Sequence, residues 1–289
     1  MAPPGRVVPR KLLADELRRL RSQSGKTLED VAAELMISTS KLSRLENGQG
    51  RPQLRDVRDL IRLYGLEGTS LAEQLRSWTR AGQEKPWWTA YSREIPDELG
   101  EHVDYEAEAA VARVYTIPAI PVLLQTAEYA RAYYRSTERW RSAEEIDALV
   151  ELRMKRQRAL TDRPGKPPLE LVAVAHETTI RQLVGSPAVM REQLDHLIER
   201  STAPHVELRI YPFTAPPLFT FTCMYAHFEF AGDLESGFVH IENHAGFRSI
   251  TTADEVAEYK GHHEELRRHA LTPDESRALI NSVRQQHFS

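Results

Sequence analysis

Apolar positions three and four residues apart run through the first eighty residues. Leu13, Leu17 and Leu20 form one stripe, Val31, Ala32 and Leu35 a second, Leu42 and Leu45 a third, and Val57, Leu60 and Ile61 a fourth. This period predicts amphipathic helices. Breaks at Ser24-Gly25-Lys26, at 48–52 and at 65–68 divide them into stretches of about 10–23, 28–35, 39–46, 53–63 and 69–81. Residues 1–9 hold three prolines and no period, and are expected to form a flexible arm.

After residue 97 the pattern is mixed. Helices are predicted at about 97–115, 126–135, 142–160, 187–200, 253–270 and 273–286. The runs Leu169–Ala175, Val206–Tyr211, Thr220–Phe230 and Phe238–Glu242 are rich in β-branched and aromatic residues and read as strands. The last three follow one another without a long helix between them, which favours antiparallel hairpins. The expected fold is an all-α head of five helices, then an α+β domain with a mainly antiparallel sheet and flanking helices. Residues 10–81 form the head and 97–289 the second domain. Between them, 82–96 reads as a linker whose Trp87 and Trp88 are too apolar to leave in water and should dock on the second domain.

Charge sharpens this division. The 289-residue chain has a net charge of -4, which alone argues against a partner rich in phosphate. Residues 1–80, however, carry 15 Lys and Arg against 10 Asp and Glu, a net +5, and the remainder carries -9. A basic head on an acidic body is the asymmetry expected when one domain meets nucleic acid. The single cysteine, Cys223, permits no intramolecular disulfide, as suits a reducing compartment. No leader-like stretch begins the chain. The longest mostly apolar run, 117–124, contains two prolines and is too short to span a bilayer. A cytoplasmic protein without a membrane partner is expected.

Residues 27–52, TLEDVAAELMISTSKLSRLENGQGRP, place two short amphipathic helices on either side of Met36-Ile37-Ser38. Ser38 is positioned to cap the second helix, and Ala32, Leu35, Ile37, Leu42 and Leu45 to form the shared core. The outer face then presents Thr39, Ser40, Lys41, Ser43 and Arg44, short donors and acceptors at the helix start with long cations behind. A helix entering the major groove by its N-terminal end needs that arrangement. The segment resembles the helix-turn-helix of the phage repressor and Cro class, the xenobiotic-response-element regulators. The matching residues are Leu28, Val31, Ala32, Ile37, Ser40, Leu42, Ser43, Leu45, Glu46, Asn47, Gly48 and Pro52. By position, the resemblance implies base reading by Thr39, Ser40 and Arg44. It implies backbone contacts from Thr27, Ser38, Lys41, Asn47 and Arg51, and a structural role for Glu46.

The region 87–280 resembles the effector-type domain of a large bacterial regulator family that pairs such a head with a C-terminal domain of unknown function. The likeness is carried by WWTAY at 87–91, PVLLQTAEYARAYY at 121–134, LRMKRQRAL at 152–160, HETTIRQLVGSPAVMREQLDHL at 176–197, VELRIYPF at 206–213, FEF at 228–230, HIEN at 240–243 and ALTPDESRALI at 270–280. Val122 stands where that family more often has glycine, so the local turn is open to difference. The resemblance implies a transcriptional regulator of double-stranded DNA, a homodimer, and either a small-molecule effector or a small toxin-like protein partner. In the second case the chain would be an antitoxin-like protein that autoregulates its operon. Gln125, Tyr129, Arg153, Arg156, Gln157, Glu177 and Arg181, with Trp87 and Trp88, form either a polar ligand pocket or an internal network that orients helices.

Enzyme motifs are missing. His176-Glu177 begins like a zinc-protease motif, but position 180 is Ile. His262 and His263 are adjacent, about 100° apart around a helix, and cannot readily share a metal. There is no GxSxG, GxGxxG or Walker sequence. No catalytic residue, metal or cofactor is expected.

Overall fold

The computed structural model describes residues 6–49, 51–83, 86–163, 165–218, 223–231, 237–243 and 246–288. Contacts divide the chain into two compact units, residues 1–87 and 88–289.

The first unit is helical: α1 (Val7–Gln23), α2 (Leu28–Glu34), α3 (Thr39–Glu46), α4 (Leu54–Leu63) and α5 (Ser70–Gly82). Side-chain caps fix three of the helix starts. The hydroxyls of Thr27, Ser38 and Thr69 each accept a backbone N–H from the first turn of α2, α3 and α5. The predicted stripes meet in one core, where Leu13, Leu17, Val31, Leu42, Leu60 and Leu75 are all buried. The expected arm is shorter than its nine residues. Residues 1–5 lie outside the described residues, but α1 already runs from Val7, and Val7 and Pro9 are buried. Pro9 does not break the helix because it stands in the first turn, where its missing N–H would have had no helical partner. The far end of α5 closes tightly on α1. A Cβ on Gly82 would come within 2.9 Å of Arg10 Cγ and 3.0 Å of Pro52 Cγ. Arg10 Nε donates to the Gly82 carbonyl at 2.8 Å.

In the second unit the chain is structured from the short 3-10 turn Trp87–Tyr91 onward. It continues as α6 (Asp97–Glu108), β1 (Val111–Thr116), α7 (Ala127–Thr137), α8 (Ala143–Arg156), β2 (Glu170–His176), α9 (Thr178–Arg181), α10 (Pro187–Arg200), β3 (Val206–Tyr211), β4 (Met224–Glu229), β5 (Phe238–Asn243), β6 (Gly246–Ile250), α11 (Ala253–His269) and α12 (Pro273–His287). The six strands form one sheet in the order β3-β2-β1-β4-β5-β6.

This sheet is mixed. β1–β2 and β2–β3 pair in parallel, and β1–β4, β4–β5 and β5–β6 antiparallel. The expectation of antiparallel hairpins describes only the β4–β6 half. β3 does not pair with β4: α10 carries the chain across the sheet, so β3 lies beside β2 at the opposite edge. The central strand β1 occupies part of the stretch expected to continue the helix of 97–115. That helix ends at Glu108, and Val111–Thr116 is fixed by β2 on one side and β4 on the other. Of the run expected at Thr220–Phe230, residues 220–222 lie outside the described residues and the strand begins at Met224.

Apolar clusters among the described residues hold the unit. Tyr115, Val174, Tyr225 and Val239 of the sheet pack with Val256 and Leu266 of α11. Trp88, Tyr91, Ile95 and Val103 pack with Ile146 and Leu149 of α8. Gly100 of α6 makes room for the Trp88 ring, since a Cβ there would stand 2.3 Å from Trp88 Cη2. The indole Nε1 donates to Asp104 Oδ1 at 2.8 Å, so the buried ring is also satisfied in polar terms. Among the described residues no helix is long and apolar enough to cross a membrane.

Candidate nucleic-acid interface and interior cavity

The two helices of the 27–52 motif are joined by a compact turn. The Ile37 N–H donates to the Ala32 carbonyl at 3.0 Å and the Met36 N–H to the Ala33 carbonyl at 3.2 Å. This is a Schellman ending, which needs a left-handed residue at its centre. That residue is Met36, at φ 52°, with its side chain 90% exposed. α3 ends in the same motif: Gln49 N donates to Arg44 O at 2.8 Å and Gly48 N to Leu45 O at 3.2 Å. There the left-handed position holds Gly48 at φ 70°. Ser38 caps α3 by accepting from Lys41 N at 3.2 Å.

The buried side of α3 is anchored by Leu42 and Glu46. Glu46, only 2% exposed, is met by Arg21 of α1, whose Nε lies 2.9 and 3.0 Å from the two carboxylate oxygens. The hydrogen bond to Glu46 raises the Arg21 pKa above its ordinary value. Arg18, one turn back on α1, donates to the Glu46 carbonyl at 2.6 Å and to Asn47 Oδ1 at 2.8 Å. Two arginines thus close the C-terminal end of α3, where carbonyls lack helical partners and the helix dipole favours cations. The arginine clamp was not foreseen. The signal was present in two arginines three residues apart on α1 and an acidic residue expected to be structural.

The predicted contact residues fall into two groups. Thr39, Ser40 and Arg44 are exposed, and among the described residues their side chains have no hydrogen-bond or ion-pair partner. Arg51 is also exposed without one, and Ser38 keeps its hydroxyl proton. The others are engaged. Thr27 donates its hydroxyl to Asp30 Oδ2 at 2.7 Å and its N–H to the same atom at 2.9 Å. Lys41 Nζ lies 2.8 and 2.7 Å from the two oxygens of Asp56, a buried residue of α4. Asn47 accepts from Arg18 and donates to Ser43 Oγ at 3.4 Å.

A cavity of about 520 Å³ opens within the second unit, bounded by α6, α8, the 117–125 segment and strands β1, β4 and β5. Of the residues expected in a pocket, Gln125, Arg153 and Arg156 line it. Gln157 and Tyr129 support it from behind. Gln157 Nε2 donates to the Gln125 carbonyl at 2.6 Å, and Tyr129 Oη accepts from Ile120 N at 3.3 Å. These bonds hold the segment that contains Val122, which forms a short 3-10 turn, Val122–Leu124, without needing glycine. The remaining four do not line the cavity. Trp88 is buried behind α6, and Trp87 is 43% exposed. Glu177 and Arg181 pair with each other at 2.6 Å, and Glu177 also accepts from Phe213 N at 2.8 Å.

The cavity adds groups the sequence did not single out: His102 and Glu106 from α6, His240 from β5, and Trp140 at the 138–142 bend. Arg156 donates to both oxygens of Glu106, at 2.8 and 2.9 Å. Burial pushes the Glu106 carboxyl up, but the Arg156 charge and bonds outweigh it and hold the pKa at about 2. Burial lowers His102, and lowers His240 to about 3, helped by the neighbouring His102 and Arg156. The two imidazoles lie 4.8 Å apart, edge to face, and burial favours the neutral form of both. Among the described residues no group of three or more His, Cys, Asp or Glu is placed to hold a metal ion.

Arg153 differs from Arg156. It donates to Gln125 Oε1 and, at 2.6 Å, to Tyr134 Oη, and its guanidinium lies 4.4 Å from the centre of the Tyr134 ring. It is 8% exposed, its Nε has no hydrogen-bond partner, and no carboxylate pairs with it among the described residues.

Comparison with known proteins agrees with both halves. Residues 12–74 match the family model of a helix-turn-helix domain. A relative from Deinococcus deserti, the HTH-type transcriptional regulator DdrOP3, is 38% identical over 61 residues, which are 21% of this chain and 47% of that protein. The chain thus spans about half the length of the curated relative it matches. No solved structure matches. Residues 99–282, well over half the chain, match the model of a domain of unknown function, DUF5753, and the chain belongs to that family, here joined to an N-terminal helix-turn-helix domain.

Proposed function

We propose that this protein is a sequence-specific DNA-binding transcriptional regulator that places the start of α3 in the major groove. The observation that carries this reading is the state of the α3 face. The helix is clamped at its C-terminal end by Arg18 and Arg21, while Thr39, Ser40 and Arg44 project into solvent with their hydrogen-bonding groups unspent. Arg44 is the residue suited to fork onto a guanine edge, and Thr39 and Ser40 to meet neighbouring bases. Ser38 and Arg51 have donors left for phosphates. Lys41, half-exposed but held by Asp56, positions α3 against α4 and meets phosphate only through its remaining N–H groups. The name of the Deinococcus relative supports the same role.

The protein acts as a homodimer on two half-sites, and its second unit senses a small molecule. The cavity supports a small-molecule effector over a toxin-like protein partner, because the groups concerned face an interior volume rather than an outer surface. Selection from a random duplex pool, followed by fluorescence anisotropy, tests the DNA reading. The intact protein should enrich one two-fold repeated motif. Arg44→Ala should lose about 5- to 150-fold in affinity for it, from the roughly 1–3 kcal/mol of a bidentate base contact. Failure to enrich any motif, or equal affinity of the variant, would refute the reading. Light scattering checks the dimer.

A further inference from the structure

We infer that the cavity of the second unit takes a small organic monoanion, its head group bound by Arg153 and its apolar body laid along the inner wall toward Trp140. This rests on the reading of that unit as a small-molecule sensor.

The argument begins with charge. An ionised group taken out of water is costly unless an opposite charge and a full set of hydrogen bonds replace the lost hydration. The cavity contains two buried arginines one turn apart on α8. Arg156 meets this requirement through Glu106. Arg153 does not. A glutamine oxygen, a tyrosine oxygen and an aromatic face are all neutral partners, and they use only two of its five N–H groups. A guanidinium held in place with donors unspent matches an anionic head group, and one of single charge such as a carboxylate fits the rest of the site.

The other charges at the cavity sharpen the choice. Glu138 and Arg141 pair with each other. Glu94 is half-buried with one oxygen unpartnered, and Glu242 is exposed. With Glu106 neutralised, these two carboxylates disfavour a polyanion such as a nucleoside triphosphate and leave room for one negative charge. The imidazoles of His102 and His240 are neutral, and His102 Nδ1 and His240 Nε2 have no hydrogen-bond partner among the described residues. They can serve polar atoms beyond the head group.

Shape and wall chemistry supply the rest. Leu99, Ile120, Leu123, Leu149 and Phe228 face the cavity, so the body of the ligand is apolar. The volume of about 520 Å³ suits a molecule of drug-like size. Trp140 lines the same cavity yet is 77% exposed, an arrangement that leaves an indole face for a ligand to cover.

The test uses the full chain with N-phenyl-1-naphthylamine, a neutral fluorophore, as occupancy probe. Decanoate, decyl phosphate and decanamide, which share one chain length, are the competitors. Decanoate should displace the probe at a concentration at least tenfold below that of decanamide. Decyl phosphate, which carries about -1.5 to -2 near neutral pH, should displace the probe less well than decanoate, and the reverse order overturns the assignment to a single negative charge. In Arg153→Met the decanoate–decanamide difference should fall to within threefold, and in Arg153→Lys, which keeps the charge, it should persist in part. Should Arg153→Met not fold, the comparison in the unmodified protein and in Arg153→Lys still decides. Equal displacement by decanoate and decanamide in the unmodified protein overturns the anion assignment and leaves the sensor reading in place. So does a preference that survives Arg153→Met. Absence of probe binding to the unmodified protein overturns both.

Discussion

Met36 gives a sharp test of how the two helices of the DNA-reading motif are held. It occupies the left-handed position of a Schellman ending at φ 52°, where glycine is the usual residue, and 90% of it is exposed. For a side chain with a Cβ, that backbone region costs roughly 1–2 kcal/mol. Glycine removes the cost but gains freedom in the unfolded chain, worth about 0.5–1 kcal/mol. Because the Met36 side chain makes so little contact, no packing is lost on truncation. Met36→Gly should therefore stabilise the first unit by about 0.5–1 kcal/mol. The same fold contains the reverse experiment. Gly48 closes α3 in the same motif at φ 70°, and a Cβ there would meet its nearest neighbour, the Arg10 carbonyl oxygen, at an unstrained 3.6 Å. Gly48→Ala should thus cost about 1 kcal/mol from the backbone alone. Amide hydrogen exchange over residues 28–46 reads both changes, because opening free energies appear directly as exchange rates. Met36→Gly should slow exchange by roughly 2- to 5-fold and Gly48→Ala should speed it by about 5-fold. Unchanged or faster exchange in Met36→Gly would refute the claim that backbone strain, rather than the side chain, sets the stability of the turn.

Three further outcomes follow from the same geometry. Arg21→Ala leaves the buried Glu46 carboxylate without its ion-pair partner and should destabilise the first unit by about 2 kcal/mol, less than a fully buried pair because Arg21 is partly hydrated; exchange over 39–46 measures it. Gly100→Ala drives a methyl into the Trp88 ring and should cost about 1–3 kcal/mol or more, with a change in tryptophan emission on urea titration of the second unit. Lowering the pH should weaken the second unit in two stages. His240 and His263 are both held near 3, so below their ordinary value of 6.5 the unfolded chain binds protons that the folded chain refuses, and stability falls on the order of 1 kcal/mol per pH unit for each of them until about pH 3. Glu106 is held near 2, so its contribution is full above about 4.5 and disappears as pH drops toward 2. Urea midpoints between pH 7 and 5 read the first stage, and His240→Gln should reduce that slope while leaving the share due to His263.

The two halves of the chain were unequally legible. In the head, stripe, cap and break are local signals, so helix ends could be placed from a few neighbouring residues. β1 carried a signal that its surroundings masked: Val111, Val114, Tyr115 and Thr116 are strand formers. Val111–Thr116 directly follows a run of helix-forming residues, and what makes it a strand is pairing with Glu170–Ala175 and with Tyr225–Glu229, which lie far along the chain. β6 begins at Gly246 and includes Arg248, and as the edge strand beside β5 it needs no apolar alternation on both faces. The pairing of β3 with β2 depends on a helical crossover that strand composition does not encode.

Polar residues show the same limit more clearly, because their type is visible in the sequence and their satisfaction is not. Thr27, Lys41 and Asn47 look as available as Thr39, Ser40 and Arg44, yet Asp30, Asp56 and Arg18 already hold the first three. Arg153 and Arg156 look interchangeable on one helix, yet a single carboxylate, Glu106, reaches only one of them. That carboxylate lies 50 residues away in sequence, on a helix whose packing is set by Trp88 and Gly100. Each unit thus keeps a cation after its internal partners are assigned: an exposed Arg44 in the last turn of the clamped α3, and a buried Arg153 facing a cavity.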